Sequence, residues 1–321
     1  MSKIKNNTYF SIVVPLFNKE EYVERAIQSI LNQRYENFEI IIVNDGSIDR
    51  SRDKVIAIND ARIKLIDQIN KGVSAARNTG VFNAQYDFVT FLDADDTWEP
   101  NFLAEMDLLI KKFPDAGIYG VNNFFEYQNF KKVYEPYTWL FNGETCGLIN
   151  NYFDVFLKIG KSPFSNSNFC MPKELFVRID GYKEGVRLTE DSDLWSRVAL
   201  SFKIAYSTKP LATYYMGTSG STHFIFEKKD FHVTTTLKNE LFLKNVIPKF
   251  EKSVGKFIAF QQLSLVKRSI LTNHKGYARI KIFSKYIFKY YTLSFFIFFF
   301  VSLLPYKSIV YLTNKFKVNK I

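Results

Sequence analysis

The chain has 321 residues, a formal net charge of +11 and 47% hydrophobic residues. That suffices for one large domain, or one domain with an appendage, and excludes a disordered or low-complexity protein. Two cysteines far apart, Cys146 and Cys170, lack metal-ligand spacing; they argue against a disulfide framework and for a reducing compartment.

The N-terminus "MSKIKNNTYF" has no apolar h-region, so nothing in it suggests export. "YFSIVVPLF" is a buried-strand run that Pro15 ends. Asn18 with Glu21 three residues on predicts a capping box, and Tyr22, Ala26, Ile27, Ile30 and Leu31 mark one helical face. "FEIIIVNDGS" predicts a second strand, "RIKLIDQ" a weaker third, "VSAARNTGVFNA" a helix and "YDFVTFLDADD" a fourth strand. Continuously apolar strands separated by helices imply a mostly parallel α/β sheet with flanking helices, in which ligands bind beyond the carboxyl ends of the strands. That edge carries "PLFN", "NDGS" and "DADD".

From about residue 122 to 222 the pattern turns mixed and aromatic, with "FSNSNFCM", "DGYKEG" and "LTEDSDLWSRVAL", the last opening an amphipathic helix. Residues 224–275 read as a basic helical extension and 276–321 as a membrane-associating tail. From Phe224 onward there are 18 Lys+Arg against 4 Asp+Glu, or +14, while residues 1–223 hold 25 against 28, or −3. Tyr290 to Tyr306 is an uncharged run of 17 residues, borderline against the roughly 20 that a spanning helix needs. With "KSIVYLTNKFKVNKI" behind it, the tail predicts an anionic membrane surface as partner. Nucleic acid is disfavoured because the aromatics are contiguous rather than interleaved with cations. A buried C-terminal helix is the competing reading.

"FLDADDTWEP" sets Asp93, Asp95 and Asp96 within four positions. At the end of a strand, residues i and i+2 share a face, so Asp93 and Asp95 suit a hard divalent cation that leaves positions for substrate phosphates. An acidic helix start is the alternative. In their order and spacing, "IVVPLFNKEEYVERAIQSILNQRYENFEIIIVNDGSIDRS", "NKGVSAARNTG", "FLDADD" and "TEDSDLW" closely resemble a family-2 glycosyltransferase of the GT-A fold, over about residues 9–222.

That resemblance implies roles residue by residue. Pro15, Asp45, Asn70 and Arg77 would line the nucleotide pocket, with Asp45 on the base and Arg77 near the base or ribose. Asp93 would contact the ribose and Asp95 a Mn²⁺ or Mg²⁺ ion. Asp191 would be the general base, oriented by Glu190. Against this, Asp45 and Asp191 could each simply cap the helix that follows it. Relatives often carry "YRxHxxS" after the base, where this chain has Tyr215 and Gly217 in "YYMGTSGSTHF". His223 is therefore a candidate metal or phosphate ligand, a surface or helix-start histidine being the other reading.

The expected activity is metal-dependent, inverting transfer from a nucleotide-sugar, most often a UDP-sugar, to a glycan hydroxyl. The acceptor would sit on a polyprenyl-diphosphate carrier, at the cytoplasmic face of the plasma membrane, in surface-polysaccharide assembly. A polyprenyl-phosphate sugar synthase is the nearest alternative, but such enzymes usually lack "TEDSDLW". A nucleotidyltransferase or a dehydrogenase would need a Gly-rich loop after the first strand, and "PLFNKEE" has none. A non-catalytic binding module is countered by the intact Asp93, Asp95 and Asp191.

Overall fold

A computed structural model describes residues 7–127, 134–186, 189–217, 232–242, 244–271 and 285–303. The chain divides into two compact units, Met1–Tyr152 with Ser162–Thr222, and Phe153–Lys161 with His223–Ile321.

The first unit opens with the alternation expected from the sequence: β1 (Phe10–Leu16), α1 (Val23–Leu31), β2 (Phe38–Asp45), α2 (Ser51–Ile56), β3 (Ile63–Gln68), α3 (Val73–Phe82) and β4 (Phe88–Phe91). These four strands lie side by side in the order β3-β2-β1-β4 and are all parallel. Phe10, Ile12, Val14 and Leu16 of β1 and Ile40 and Ile42 of β2 point to one face, where Val23, Ala26, Ile27 and Ile30 of α1 complete the core. The spacing of those α1 residues is the apolar stripe of a helix resting on a sheet. On the other face α3 lies close to β1. A Cβ at Gly80 would come within 2.2 Å of Val13 Cγ1, so the approach needs a residue without a side chain.

Then come β5 (Thr97–Trp98), α4 (Phe102–Lys112), β6 (Ile118–Glu126), β7 (Cys146–Ile149), α5 (Tyr152–Ile159), β8 (Phe169–Pro172), α6 (Lys173–Arg178), α7 (Glu190–Ala199) and β9 (Ile204–Tyr215). These strands extend the sheet as β4-β8-β6-β9-β5, with β7 also on β9. The expectation of a mostly parallel sheet is thereby corrected. β8 runs antiparallel to both β4 and β6, and β5 and β7 run antiparallel to β9. β6 and β9 still run parallel, so this half is mixed.

The capping box is also corrected. Helix α1 begins at Val23, with no side-chain cap. Asn18 has φ 50° and its Oδ1 accepts from the Ile48 N–H at 2.9 Å, tying the loop after β1 to the loop after β2.

The second unit is helical, with α5 from Phe153 onward, α8 (His232–Phe242), α9 (Pro248–Leu271), α10 (Lys285–Tyr290) and α11 (Thr292–Leu303). Phe257 of α9 takes edge-on contacts from Phe153 and Phe156, at 5.4 and 4.6 Å between ring centres, and Ser253 Oγ donates to Asp154 at 2.7 Å. Among the described residues no helix is long and apolar enough to cross a membrane.

Candidate active site

The site is assembled where the parallel strands end. Asp45 closes β2 and is almost fully buried. Its Oδ1 accepts from Gln68 Nε2 at 2.7 Å and from the Lys71 N–H at 2.9 Å, and its Oδ2 accepts from the Gly72 N–H at 2.9 Å. Asp45 therefore holds the loop that carries Asn70. It does not cap α2, whose N-cap is Arg50. Gly72, the residue before α3, has φ 90° and ψ 163°, which favours glycine there. Pro15 is buried in β1 beside Val43 of β2.

One turn into α3, Arg77 is 2% exposed and bridges two distant segments. Its Nη2 donates to Asp93 Oδ1 at 2.7 Å and its Nη1 to Glu190 Oε1 at 3.1 Å. The guanidinium also lies 5.2 Å from the Tyr182 ring centre. Asn166, oriented so that both ends of its amide are satisfied, accepts from Arg77 Nη2 at 3.0 Å and donates to the Tyr182 hydroxyl at 2.7 Å. Burial alone would pull the Arg77 guanidinium down, but Asp93, Tyr182 and Glu190 outweigh it and leave its pKa raised. Arg77 is thus a permanent buried cation joining the "DAD" and "TED" segments.

Strand β4 ends at Phe91. Strand alternation therefore does not govern Asp93 and Asp95, which belong to a turn closed by the Asp96 N–H on the Asp93 carbonyl at 2.9 Å. Each carboxylate has its own cation: Asp93 has Arg77, and Asp95 Oδ2 lies 2.7 Å from Lys19 Nζ. The charge that offsets their repulsion, expected from outside the sequence, comes here at least in part from these two side chains. Arg25 donates to the Asp95 carbonyl at 2.8 Å and stacks on Tyr215, 3.6 Å from the ring centre.

Asp96 closes this turn and is buried. It is 1% exposed, accepting from Ser167 Oγ at 2.5 Å and from the Tyr215 N–H at 3.2 Å. Burial, with Asp95 and Asp93 nearby, pushes its carboxyl well above the usual range. Ser167 Oγ also accepts from the Asp93 N–H at 3.1 Å, so Asp96 and Ser167 together fix the turn.

Glu190 and Asp191 open α7 after Thr189, whose φ is 67°. Burial, then the neighbouring Asp191, push Glu190 up to about 7, against a smaller downward pull from Arg77. Burial also raises Asp191, opposed by hydrogen bonding to the Ser192 N–H and by Arg77. Two adjacent carboxyls that hold protons more tightly than usual form a group able to take up a proton near neutral pH.

Among the described residues no cluster of three or more His, Cys, Asp or Glu could hold a metal ion. The donor chemistry nonetheless fits a divalent cation of the kind carried by one or two carboxylates plus substrate phosphates. Asp95 offers a part-exposed hard oxygen donor. His223 lies outside the described residues.

Asn166, Ser167, Tyr182, Lys19 and Arg25 were not assigned roles from the sequence. "FSNSNFCM" and "DGYKEG" belong to a stretch whose pattern is mixed and aromatic, and only the folded sheet places Asn166, Ser167 and Tyr182 against Arg77 and the turn after β4.

The architecture is that of the GT-A fold. S. aureus TarS 1–349 in complex with UDP-GlcNAc superposes with a TM-score of 0.66 at 18% identity, covering 88% of this chain and 81% of TarS 1–349. The sequence model described as glycosyl transferase family 2 matches residues 11–173, and the chain belongs to that family. It is similar to glycosyltransferase GlyA of Streptococcus pneumoniae, 44% identical over 95 residues, covering 29% of this chain and 14% of GlyA. It also resembles WfgD of Escherichia coli, a UDP-Glc:α-D-GlcNAc-diphosphoundecaprenol β-1,3-glucosyltransferase. The two are 38% identical over 111 residues, covering 34% of this chain and 44% of WfgD. The chain thus spans less than half the length of these two curated relatives.

Proposed function

We propose that this chain is a metal-dependent, inverting glycosyltransferase. It moves a sugar from a nucleotide-sugar, a UDP-sugar, to a hydroxyl of a lipid-linked glycan in bacterial surface-polysaccharide synthesis. The observation that carries this reading is the Asp93–Arg77–Glu190 bridge. It joins the end of β4 to the start of α7, so one buried cation holds the donor-side acid next to the acids suited to take the acceptor's proton. The UDP-GlcNAc bound by TarS and the UDP-glucose and diphosphoundecaprenol in the name of WfgD support the choice of donor and carrier.

The chemistry follows from charge. The acceptor oxygen attacks the anomeric carbon opposite the diphosphate, a new C–O bond forms, and the bond to the diphosphate oxygen breaks with its electron pair. Asp191 takes the hydroxyl proton as attack proceeds, and Glu190 orients it. Asp93 contacts the ribose, and Pro15, Asp45, Asn70 and Arg77 shape the nucleotide pocket. A Mn²⁺ or Mg²⁺ ion held by Asp95 would neutralise charge on the leaving diphosphate. The transfer reading is tested by UDP release from a UDP-sugar when acceptor is added.

We place the enzyme at the cytoplasmic face of the membrane, held through its C-terminal part. On α11, Leu293, Phe296, Ile297 and Phe300 are exposed at i, i+3, i+4 and i+7, with Leu293 75% and Phe300 62% exposed. An apolar stripe of this kind, in a region with no acidic residue after Glu251, suits an anionic lipid surface. The full chain should co-sediment with vesicles containing phosphatidylglycerol, and Phe296→Ser/Phe300→Ser should reduce that fraction severalfold. Equal sedimentation of the two proteins would refute the placement.

A further inference from the structure

Lys19 and the divalent cation make competing claims on one carboxylate. Lys19 Nζ is 2.7 Å from Asp95 Oδ2, and the two side chains are 15% and 16% exposed, so the pair lies at the surface of the site, within reach of a ligand. A metal on a carboxylate oxygen sits at roughly 2.1 Å. An ammonium and a divalent ion on the same carboxylate would therefore be close neighbours and repel strongly.

The rest of the turn is held independently of Lys19. Arg25 clamps the Asp95 carbonyl while stacking on Tyr215, and Asp96 and Ser167 fix the backbone behind it. The Lys19 backbone is anchored separately, its N–H donating to Ser51 Oγ at 2.7 Å. The Lys19 ammonium, on a flexible four-carbon stem, can move without carrying that backbone with it.

We infer that Lys19 is a built-in cation that occupies Asp95 until donor arrives, then transfers to the donor's diphosphate and frees the carboxylate for the metal. This rests on the nucleotide-sugar reading above. Metal and nucleoside diphosphate then bind with positive coupling, because the diphosphate takes the ammonium away from the metal's ligand, and the coupling is reciprocal. Lys19 thereby keeps metal from binding productively without donor.

The test is Mn²⁺ binding to the full chain, followed by electron paramagnetic resonance or calorimetry, with and without UDP. In the wild type, Mn²⁺ should bind weakly alone and about tenfold or more tightly with UDP. Lys19→Met should tighten Mn²⁺ binding in the absence of UDP and shrink the gain that UDP brings, whereas Lys19→Arg, which keeps the charge, should resemble the wild type. A merely structural salt bridge predicts the opposite sign, since its loss would loosen Asp95 and weaken the metal. Unchanged or weaker Mn²⁺ binding by Lys19→Met, with a wild type that binds both ligands and an unaltered melting temperature, would overturn the inference alone. A wild type that binds neither UDP nor Mn²⁺ would overturn the nucleotide-sugar reading along with it.

Discussion

Asp191→Asn is expected to lower transfer by about 100- to 10,000-fold, the range a positioned general base contributes, while UDP still binds. The amide keeps the shape and the Ser192 N–H contact at the start of α7 but accepts no proton. The pH profile supplies a second reading of the same group. Burial and Asp191 raise Glu190 to about 7, and Asp191 itself is raised. A carboxyl with a raised pKa holds its proton at low pH, so the basic form grows as pH rises. The wild-type rate should therefore climb with pH as Asp191, raised above the usual carboxylate range by burial, loses its proton, and level off once it is ionised. For stability the sign is reversed: the contribution of the Glu190 carboxyl is fully present below its ordinary 4.5 and is lost as pH rises through about 7. A flat rate profile, or an asparagine variant at near wild-type rate, would remove Asp191 from the role of base.

Arg77→Met should be the most damaging substitution for the fold as well as for transfer. Removing one partner of a buried ion pair leaves uncompensated charge and typically costs about 3–5 kcal/mol. Here two carboxylates, Asp93 and Glu190, lose the same cation, and the Asn166 amide and Tyr182 ring lose their neighbour. Without Arg77 the Asp191 and Glu190 carboxyls should both rise further, so any residual activity should shift to more alkaline pH. Arg77→Lys keeps the charge but cannot span both acids through a planar fork, so rescue should be partial. Thermal unfolding measures the first effect and the pH profile of the remaining activity the second. A variant with wild-type melting temperature would contradict the bridge.

Much of this was legible in the chain, for physical reasons. β1 to β4 announce themselves because both faces of a parallel sheet are covered, leaving runs such as "SIVVPL" and "EIIIV" without polar breaks. Asp45, Asp93 and Asp95 stand at the ends of such runs, which is where ligands meet these sheets. The second half of the sheet was less readable. β6 pairs with β8 and β9, tens of residues away, and its order depends on closure that no local period encodes. Asn166 and Tyr182 reach Arg77 only through that closure.

Local chemistry also misled in two places. Asp96 reads as a helix-start acid, yet it is buried on Ser167. Asn18 reads as a cap, yet its left-handed backbone lets it bind the neighbouring loop instead. In each case a short polar side chain had a nearby role by propensity and took a tertiary partner in the fold.

The central claim is that the acids gathered by Arg77 carry out one direct displacement at an anomeric carbon. Its most direct test is to incubate the full chain with a UDP-sugar, a glycan hydroxyl acceptor and Mn²⁺, following UDP release and the anomeric configuration of the product by NMR. The account predicts one UDP released per glycoside formed, with inverted configuration, and loss of both signals on chelation of the metal. A product of retained configuration, or turnover undiminished by chelation, would contradict it.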